Sequence, residues 1–285
     1  MSESKKCWRR RPTRQSQFIH VPTYQTYSNP THIFTSIENM KIECILYRWA
    51  RHGVDPGHYS RLLTKTVVKM ATDSPTRPLV DIVHDSNIQA ASQHLGTATC
   101  TTLRIADEST VSTLNIGDSG YSIHRISPPT SDNNSDGGKP KIDLLFASEP
   151  GQKRFNFPDQ IGGQHGDVVA KVAVPNSHTF QDGDIFIVYS DGVSDNLWPE
   201  DFHTCISTFI DEENIGSEEV FSSYSSVADC IARTAYELGK DQTFDSPFSR
   251  GAREAGWSRA YALGGKVRIH TRTYDVHTYY MQVTF

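Results

Sequence analysis

The chain has 285 residues, with 28 Lys and Arg against 33 Asp and Glu, and its net charge of −5 excludes nucleic-acid binding through an overall basic field. No apolar run approaches the roughly 18 residues of a membrane-spanning helix, so the sequence predicts no membrane span. The length suits one large domain with a substantial core.

The cysteines indicate a reducing environment. There are five of them, an odd number, and none are spaced as CxxC. This pattern predicts reduced thiols in an intracellular protein, and neither a disulfide framework nor a zinc site.

Residues 1–40 are predicted to be an irregular basic segment. Basic side chains dominate residues 1–14, where Glu3 is the one acid, and residues 18–40 show no clean hydrophobic period. A basic, acid-poor start that contains serine is typical of a transit peptide. A solvated disordered tail can have the same composition, so the sequence leaves both interpretations open.

Two amphipathic helices are predicted next along the chain. Asp55 as N-cap and Pro56 at the first helical position start one helix, and Pro78 starts the other. Apolar residues at helical spacing form a stripe on each, with Tyr59, Leu62, Leu63, Thr66, Val67 and Met70 on the first and Leu79, Ile82, Val83 and Ala90 on the second. Both stripes predict helices that pack against a core.

Strands are predicted through the middle of the chain. Segments rich in β-branched or apolar residues and bounded by turn residues lie at 97–105, 111–116, 121–125, 141–146, 168–174 and 185–189. The first three are predicted to form an antiparallel meander. Further helices are predicted after Pro199 and after a cap at Ser226. Strands clustered between helices indicate an α+β fold.

Two aspartates stand where predicted strands begin or end. Asp191 follows the apolar run 185–189 and precedes a glycine, and Asp118 lies in the turn that leads into the strand at 121–125. A carboxylate held at the end of a buried strand suits a hard cation such as Mg²⁺ or Mn²⁺. An ordinary Asp-Gly turn would leave the same pattern, and Asp118 could hold its turn through an Asx hydrogen bond.

Seven motifs occur in an order and spacing that match a known family. They are WARHGVDP at 49–56, GTAT at 96–99, NIGDSG at 115–120, FNFPDQI at 155–161, YSDGVSDN at 189–196, SPF at 246–248 and GGKV at 264–267. Through them the chain resembles the PPM-type (type 2C) metal-dependent protein serine/threonine phosphatases, and in particular their mitochondrial branch. The resemblance covers roughly residues 49–267.

The resemblance implies a fold, an activity and a cofactor. The expected fold has two packed antiparallel β-sheets flanked by helix pairs, with a metal cleft at one edge. The expected activity is hydrolysis of phosphoserine and phosphothreonine in a phosphoprotein substrate, by water activated with Mg²⁺ or Mn²⁺, in a mitochondrial or cytoplasmic protein. Asp191 matches a metal ligand of the family, while Asp118 and Asp195 match carboxylates available to a third, looser metal; Asp195 could instead cap the following segment. No catalytic side chain is assigned.

Two ligand positions of the family are degenerate in this chain. The position of the bridging aspartate is held by Cys44, a soft ligand poorly suited to Mg²⁺, and the only nearby carboxylate, Glu43, is one residue out of register. The C-terminal carboxylate position is held by Arg268. These departures predict weak metal binding and divide the chain into an N-terminal segment 1–40, a phosphatase-like domain 41–267 and an atypical tail 268–285.

The departures leave other interpretations open. Their sharp boundaries suggest a gene-model error at each end, which transcript sequencing across the two junctions would test. The alternative function is a catalytically impaired pseudophosphatase that acts as a protein-binding module. An unrelated β-rich binding domain is the remaining interpretation, and it would require the ordered motifs to be coincidental.

Overall fold

The computed structural model of the chain describes residues 32–37, 40–47, 57–107, 109–128, 140–181, 184–215, 221, 224–257, 263–266, 269–270 and 273–274. For residues 32–37, 40–47, 214, 224–225, 269–270 and 273–274, it describes the backbone only. The expected helix start at Asp55-Pro56 and the degenerate position Arg268 lie outside the described residues.

The strands and helices alternate irregularly along the chain. The strands are β1 (His32–Ile37), β2 (Met40–Tyr47), β3 (Thr97–Ile105), β4 (Thr110–Ile116), β5 (Gly120–Ser127), β6 (Lys141–Ala147), β7 (Gln152–Arg154), β8 (Phe157–Pro158), β9 (Ile161–Gly162), β10 (Val174–Thr179), β11 (Asp184–Tyr189), β12 (Ile269–His270) and β13 (Thr273–Tyr274). The helices are α1 (Gly57–Asp73), α2 (Leu79–Gln93), α3 (Val169–Val172), α4 (Asp191–Ser194), α5 (Pro199–Phe209), α6 (Tyr224–Lys240) and α7 (Pro247–Glu254), with a 3₁₀ turn at Glu212–Asn214. None of these helices combines the length and the hydropathy that crossing a membrane requires.

Two antiparallel sheets carry the fold. The larger has the order β1-β2-β3-β4-β10, with β9 also paired to β3, and the smaller has the order β11-β5-β6. Leu103 and Val111 of the larger sheet pack against Ile123, Phe186 and Val188 of the smaller one. The predicted α+β fold of two packed antiparallel sheets flanked by helices is therefore confirmed.

One helix pair covers the outer face of each sheet. The α1 and α2 stripes bury Tyr59, Leu63, Val67, Leu79, Ile82, Val83 and Ala90 with Ala98, Cys100 and Leu114 of the larger sheet. Against the smaller sheet, α5 and α6 bury Phe202, Ile206, Val227 and Ile231 with Ile185 and Ile187. Burial of each large apolar side chain contributes roughly 1.5–3 kcal/mol, so these stripes fix how the helix pairs dock.

The predicted meander of three strands is wrong at its third strand. β3 and β4 pair with each other, but β5 pairs with β11 and β6 in the other sheet. Gly117 has a φ of +91°, a left-handed conformation that favours glycine, and there the chain leaves the larger sheet. The turn that contains Asp118 therefore crosses between the two sheets.

Three element boundaries also differ from expectation. His32–Ile37 form β1, inside the segment expected to be irregular, because their backbone groups pair with β2 at the edge of the sheet. The predicted strand 168–174 is a helical turn followed by β10, and the turn buries Val169 in the core beneath α2. Helix α6 begins at Tyr224, one half-turn before the expected cap at Ser226, within the usual scatter of helix ends.

The prediction that all cysteines are reduced is also corrected. Cys205 of α5 and Cys230 of α6 form a disulfide, with their Cα atoms 5.6 Å apart. Both lie on the helix faces that pack together, a proximity that the sequence spacing alone does not reveal. Cys100 is buried in the core between the larger sheet and its helix pair.

Candidate metal-binding cleft

The aspartates predicted at strand ends lie at the same end of one strand pair. β5 and β11 run antiparallel, and their last paired residues are Gly120 and Tyr189. Asp118 precedes Gly120 by two residues, and Asp191 follows Tyr189 by two. Because the register brings the start of β5 and the end of β11 together, both carboxylates leave the smaller sheet at one edge.

Asp191 and Asp195 form ion pairs with the same lysine. Asp191 opens the short helix α4, and Asp195 follows its last residue. The Nζ of Lys266 lies 2.7 Å from Oδ2 of Asp191 and 2.5 Å from Oδ2 of Asp195. The three side chains are mostly buried, with exposures of 11%, 23% and 13% for Asp191, Asp195 and Lys266. Low hydration strengthens such charge-assisted contacts.

Asn196 connects the two loops that supply these charges. Its side chain is fully buried; Nδ2 donates to the Gly192 carbonyl at 2.9 Å, and Oδ1 accepts from the Lys266 amide at 2.7 Å. A Cβ on Gly265 would lie 2.5 Å from this Oδ1 and 2.3 Å from the Cα of Gly239. Only glycine therefore allows the Lys266 loop to approach so closely.

The turn around Asp118 is fixed by the larger sheet. The hydroxyls of Thr99 and Ser119 are hydrogen-bonded at 2.7 Å, and both residues are buried. A Cβ on Gly117 would meet Thr99 Cγ2 at 2.3 Å. The crossover that presents Asp118 is thus packed tightly against β3.

Asp118 and Asp195 line a cleft of about 480 Å³. Its other lining residues include the polar side chains of Ser148, Gln152, Asn156, Glu254 and Lys266 and the aromatic rings of Phe155 and Phe248. The ring centroids of Phe155 and Phe248 lie 5.2 Å apart. A cleft lined by both charged and aromatic side chains can hold a ligand that has an ionic group and an apolar part.

Tyr189 also lines this cleft, and its phenol is neutral. Burial raises the pKa of its phenol well above the ordinary value, an effect only partly offset by a hydrogen bond to Ser122. The phenol therefore stays protonated at neutral pH and is excluded as a general base.

The backbone register locates the degenerate position Cys44. Cys44 lies opposite Cys100, which belongs to the core under α1 and α2, and Glu43 lies opposite Thr101. The equivalence of Cys44 with a lost ligand of the family stays a prediction.

The donor chemistry of the cleft suits a hard dication, although the described ligand set is incomplete. Carboxylate oxygens are the ligands that Mg²⁺ and Mn²⁺ prefer, and Asp191 and Asp195 already hold a cationic group between them. Among the described residues, no three His, Cys, Asp or Glu side chains converge closely enough to hold a metal ion.

Sequence reasoning did not assign roles to Lys266, Asn196, Phe155 or Phe248. All four lie within motifs that carried the family resemblance. A lysine next to two glycines, or an asparagine after an aspartate, has no distinctive spacing of its own. Their motif membership was the available signal.

Comparison with known proteins identifies related sequences. No protein-family model matches the chain. It is 28% identical over 205 residues to "Putative protein phosphatase 2C 23" of Oryza sativa subsp. japonica, covering 70% of this chain and 56% of the relative. It is 27% identical over 220 residues to "Probable protein phosphatase 2C 55" of Arabidopsis thaliana, covering 77% and 41%. The chain thus spans about half the length of these curated relatives.

Solved structures share the fold. The photosystem II phosphatase PBCP superposes with a TM-score of 0.66 at 19% identity, covering 95% of this chain and 90% of that one. The catalytic domain of the serine/threonine phosphatase PstP, solved with two manganese ions, superposes with a TM-score of 0.55 at 14% identity, covering 79% and 93%. In sequence the chain is similar to proteins named as protein phosphatases 2C, and in fold it is similar to solved phosphatases.

Proposed function

We propose that the chain is a metal-dependent protein phosphatase domain that hydrolyses phosphoserine and phosphothreonine. The observation that carries the proposal is the placement of Asp118 and Asp191 at the same edge of the β5–β11 pair, with Asp195 paired to the same lysine as Asp191, beside a cleft. Relatives named as protein phosphatases 2C over 70–77% of this chain support the same activity.

Mg²⁺ or Mn²⁺ is the proposed cofactor, held by Asp191 with Asp118 and Asp195 nearby. When bound, such ions activate a water molecule and neutralise the charge on a phosphoryl group. The remaining cleft residues bind and orient the substrate. The aromatic rings of Phe155 and Phe248 exclude water from one side, and the amides of Gln152 and Asn156 can bond the peptide beside the phosphorylated residue.

The metal affinity of this chain is proposed to be weak. Cys44 and Arg268 hold positions where the family resemblance expects carboxylates. Fewer anionic oxygens leave the repulsion between dications poorly compensated. The pseudophosphatase alternative, a protein-binding module of the same fold, is not favoured because the relatives are named as phosphatases.

The finer assignments rest on the sequence motifs. The mitochondrial branch is supported by the motifs at 49–56 and 155–161, and a mitochondrial or cytoplasmic location by the basic, acid-poor residues 1–14. The domain bounds 41–267, with an N-terminal segment 1–40 and a tail 268–285, follow from where the motifs begin and end. A phosphoprotein is the proposed partner, with no role for nucleic acid.

The test is Mn²⁺-dependent hydrolysis of an aryl phosphate and of a phosphothreonine peptide by the purified chain. We expect activity that needs added Mn²⁺, is lost with EDTA and is lost in Asp191→Asn. A folded wild-type chain without hydrolysis at saturating Mn²⁺ would support the pseudophosphatase instead. Activity that persists in EDTA would contradict the metal-dependent mechanism.

A further inference from the structure

Among the described residues that line the cleft, one is basic, Lys266, and its ammonium group contacts the proposed metal ligands. Its Nζ lies 2.7 Å from Asp191 and 2.5 Å from Asp195, distances at which a cation and a carboxylate are in direct contact. A divalent ion bound to these two oxygens would stand within a few ångströms of that ammonium. The two cations therefore compete for the same pair of carboxylates.

We propose that Lys266 is an internal counter-cation of the metal site, which a divalent metal must displace from Asp191 and Asp195. The inference rests on the proposed function, because it concerns the same carboxylates. It goes further by assigning to this lysine the role of lowering metal affinity and of stabilising the chain when no metal is bound.

The backbone of Lys266 is held firmly while its side chain can move. The buried Asn196 side chain accepts the Lys266 amide hydrogen, and Gly265 fits against Gly239 with no space for a Cβ. The ammonium sits at the end of a flexible four-carbon stem. The Lys266 ammonium can therefore move away from the two carboxylates while the backbone of its loop stays in place.

The ammonium that pairs with Asp191 and Asp195 also has an aromatic neighbour. The Nζ of Lys266 lies 5.5 Å from the centroid of the Phe248 ring, within the range of a cation–π contact. Lys266, Phe248 and Glu254 all line the cleft. A small shift of the ammonium toward the Phe248 ring would release the two carboxylates and keep the charge in the cleft.

Competition predicts that removing the charge tightens metal binding. Lys266→Met keeps the length and the apolar stem but removes the ammonium. We expect its Mn²⁺ dissociation constant, measured by titration calorimetry on EDTA-stripped full chain, to fall about tenfold or more, since a contact with a charged group is worth at least the roughly 1.4 kcal/mol of one such factor. In EDTA, the melting temperature of Lys266→Met should fall below that of wild type, because Asp191 and Asp195 lose their counter-charge.

Two control variants test whether the effect comes from the positive charge at position 266, and neither from a change of side-chain shape nor from the change in the net charge of the protein. Lys266→Arg retains a cation and should bind Mn²⁺ about as weakly as wild type. Lys69→Met makes the same change in net charge on α1, where Lys69 is largely exposed and pairs with Asp73. It should leave both the Mn²⁺ affinity and the EDTA melting temperature unchanged.

The outcomes distinguish this inference from the proposed function. If wild type binds Mn²⁺ and Lys266→Met binds it no more tightly, competition is wrong while the metal site stands. An affinity gain of equal size in Lys69→Met or in Lys266→Arg would also overturn it. If neither wild type nor Lys266→Met binds Mn²⁺, the proposed metal dependence fails and the competition fails with it.

Discussion

The two ends of the β5–β11 strand pair both hold buried acid–base contacts, and they differ in how replaceable the cation is. At one end, Arg125 forms a two-point contact with Asp184, at 2.6 and 2.7 Å, and Asp184 is completely buried. At the other end, Asp191 shares a lysine with Asp195 beside the cleft. A guanidinium fork matches the carboxylate geometry and fixes it, whereas an ammonium on a flexible stem acts as a point charge that another cation can replace. We call the end with Arg125 and Asp184 the closed end and the end with Asp191 and Asp195 the open end. The closed end therefore serves stability, and the open end can serve binding.

The largest expected effect is the loss of function at the open end. Asp191→Asn removes one anionic oxygen donor and should lower Mn²⁺-dependent hydrolysis by about 100-fold or more, since the metal supplies several kcal/mol of charge stabilisation. Its free energy of unfolding without metal should change by less than about 1 kcal/mol, because Asp195 still pairs with Lys266. Activity assays and urea denaturation measure the two quantities. A variant that keeps its activity would break the distinction between the ends.

The closed end should give the opposite result. Asp184→Asn leaves Arg125 without its carboxylate and should lower the free energy of unfolding by about 2–3 kcal/mol, less than for a fully buried pair because the Arg125 side chain is 31% exposed. The Mn²⁺ affinity of the folded variant should match that of wild type. Urea denaturation and titration calorimetry check these expectations. Weakened metal binding here would show that the two ends are coupled.

Stability should also fall in mild acid because of a histidine near the closed end. Burial, with a smaller contribution from nearby His203, lowers the pKa of His124 to about 3, and burial lowers the pKa of His203 as well. The histidine is protonated below about pH 6.5 in the unfolded chain but stays neutral in the folded chain. Its contribution to the free energy of unfolding is therefore fully present above about pH 6.5 and is lost as the pH falls toward 3. The loss has an upper limit of about 1.4 kcal/mol per pH unit for each such histidine.

Urea denaturation at pH 7 and pH 5.5 measures this dependence. His124→Phe should flatten it, because Phe cannot bind a proton and His124 already stacks on the Phe202 ring. The carboxylates whose pKa values are lowered by hydrogen bonds are already ionised at both pH 5.5 and pH 7 and do not obscure the comparison. Equal stability of wild type at the two pH values would contradict the expectation.

The smallest predicted effect tests how closely the Lys266 loop packs at the open end. Gly265→Ala forces a Cβ against Asn196 and Gly239 and should cost about 1–2 kcal/mol of unfolding free energy, as small overpacking changes do. By shifting Lys266 it should also tighten Mn²⁺ binding slightly. Gly163→Ala is the matched control, because a Cβ there meets nothing within 4 Å. Equal stability losses in the two variants would argue against the close approach at Gly265.

The sequence predicted local structure better than it predicted partners. The stripe of Leu79, Ile82, Val83 and Ala90 identified a helix face because helical periodicity is a property of one segment. The positions of Asp118 and Asp191 at strand ends followed from turn residues in the same way. The sheet to which a strand belongs depends on contacts far along the chain, so β5 was assigned to the wrong sheet.

The contacts that the sequence did not reveal are all long-range. Cys205 and Cys230 are 25 residues apart, and each lies on a helix whose pattern is apolar with or without a bond. Lys266 lies 75 residues from Asp191, and nothing near either residue indicates the other. Periodicity shows which way a side chain faces, but the residue that it meets is set by the docking of whole elements.

The long reach of the lysine contacts has a consequence for the order in which the chain can fold during synthesis. Arg125 and Asp184 are 59 residues apart and can pair once β11 has left the ribosome, whereas Asn196 must wait for a partner 70 residues downstream. Until Lys266 emerges, Asp191 and Asp195 lack the ammonium that pairs with both of them. The cleft is therefore completed by one of the last described segments to be synthesised, after both sheets can already be paired.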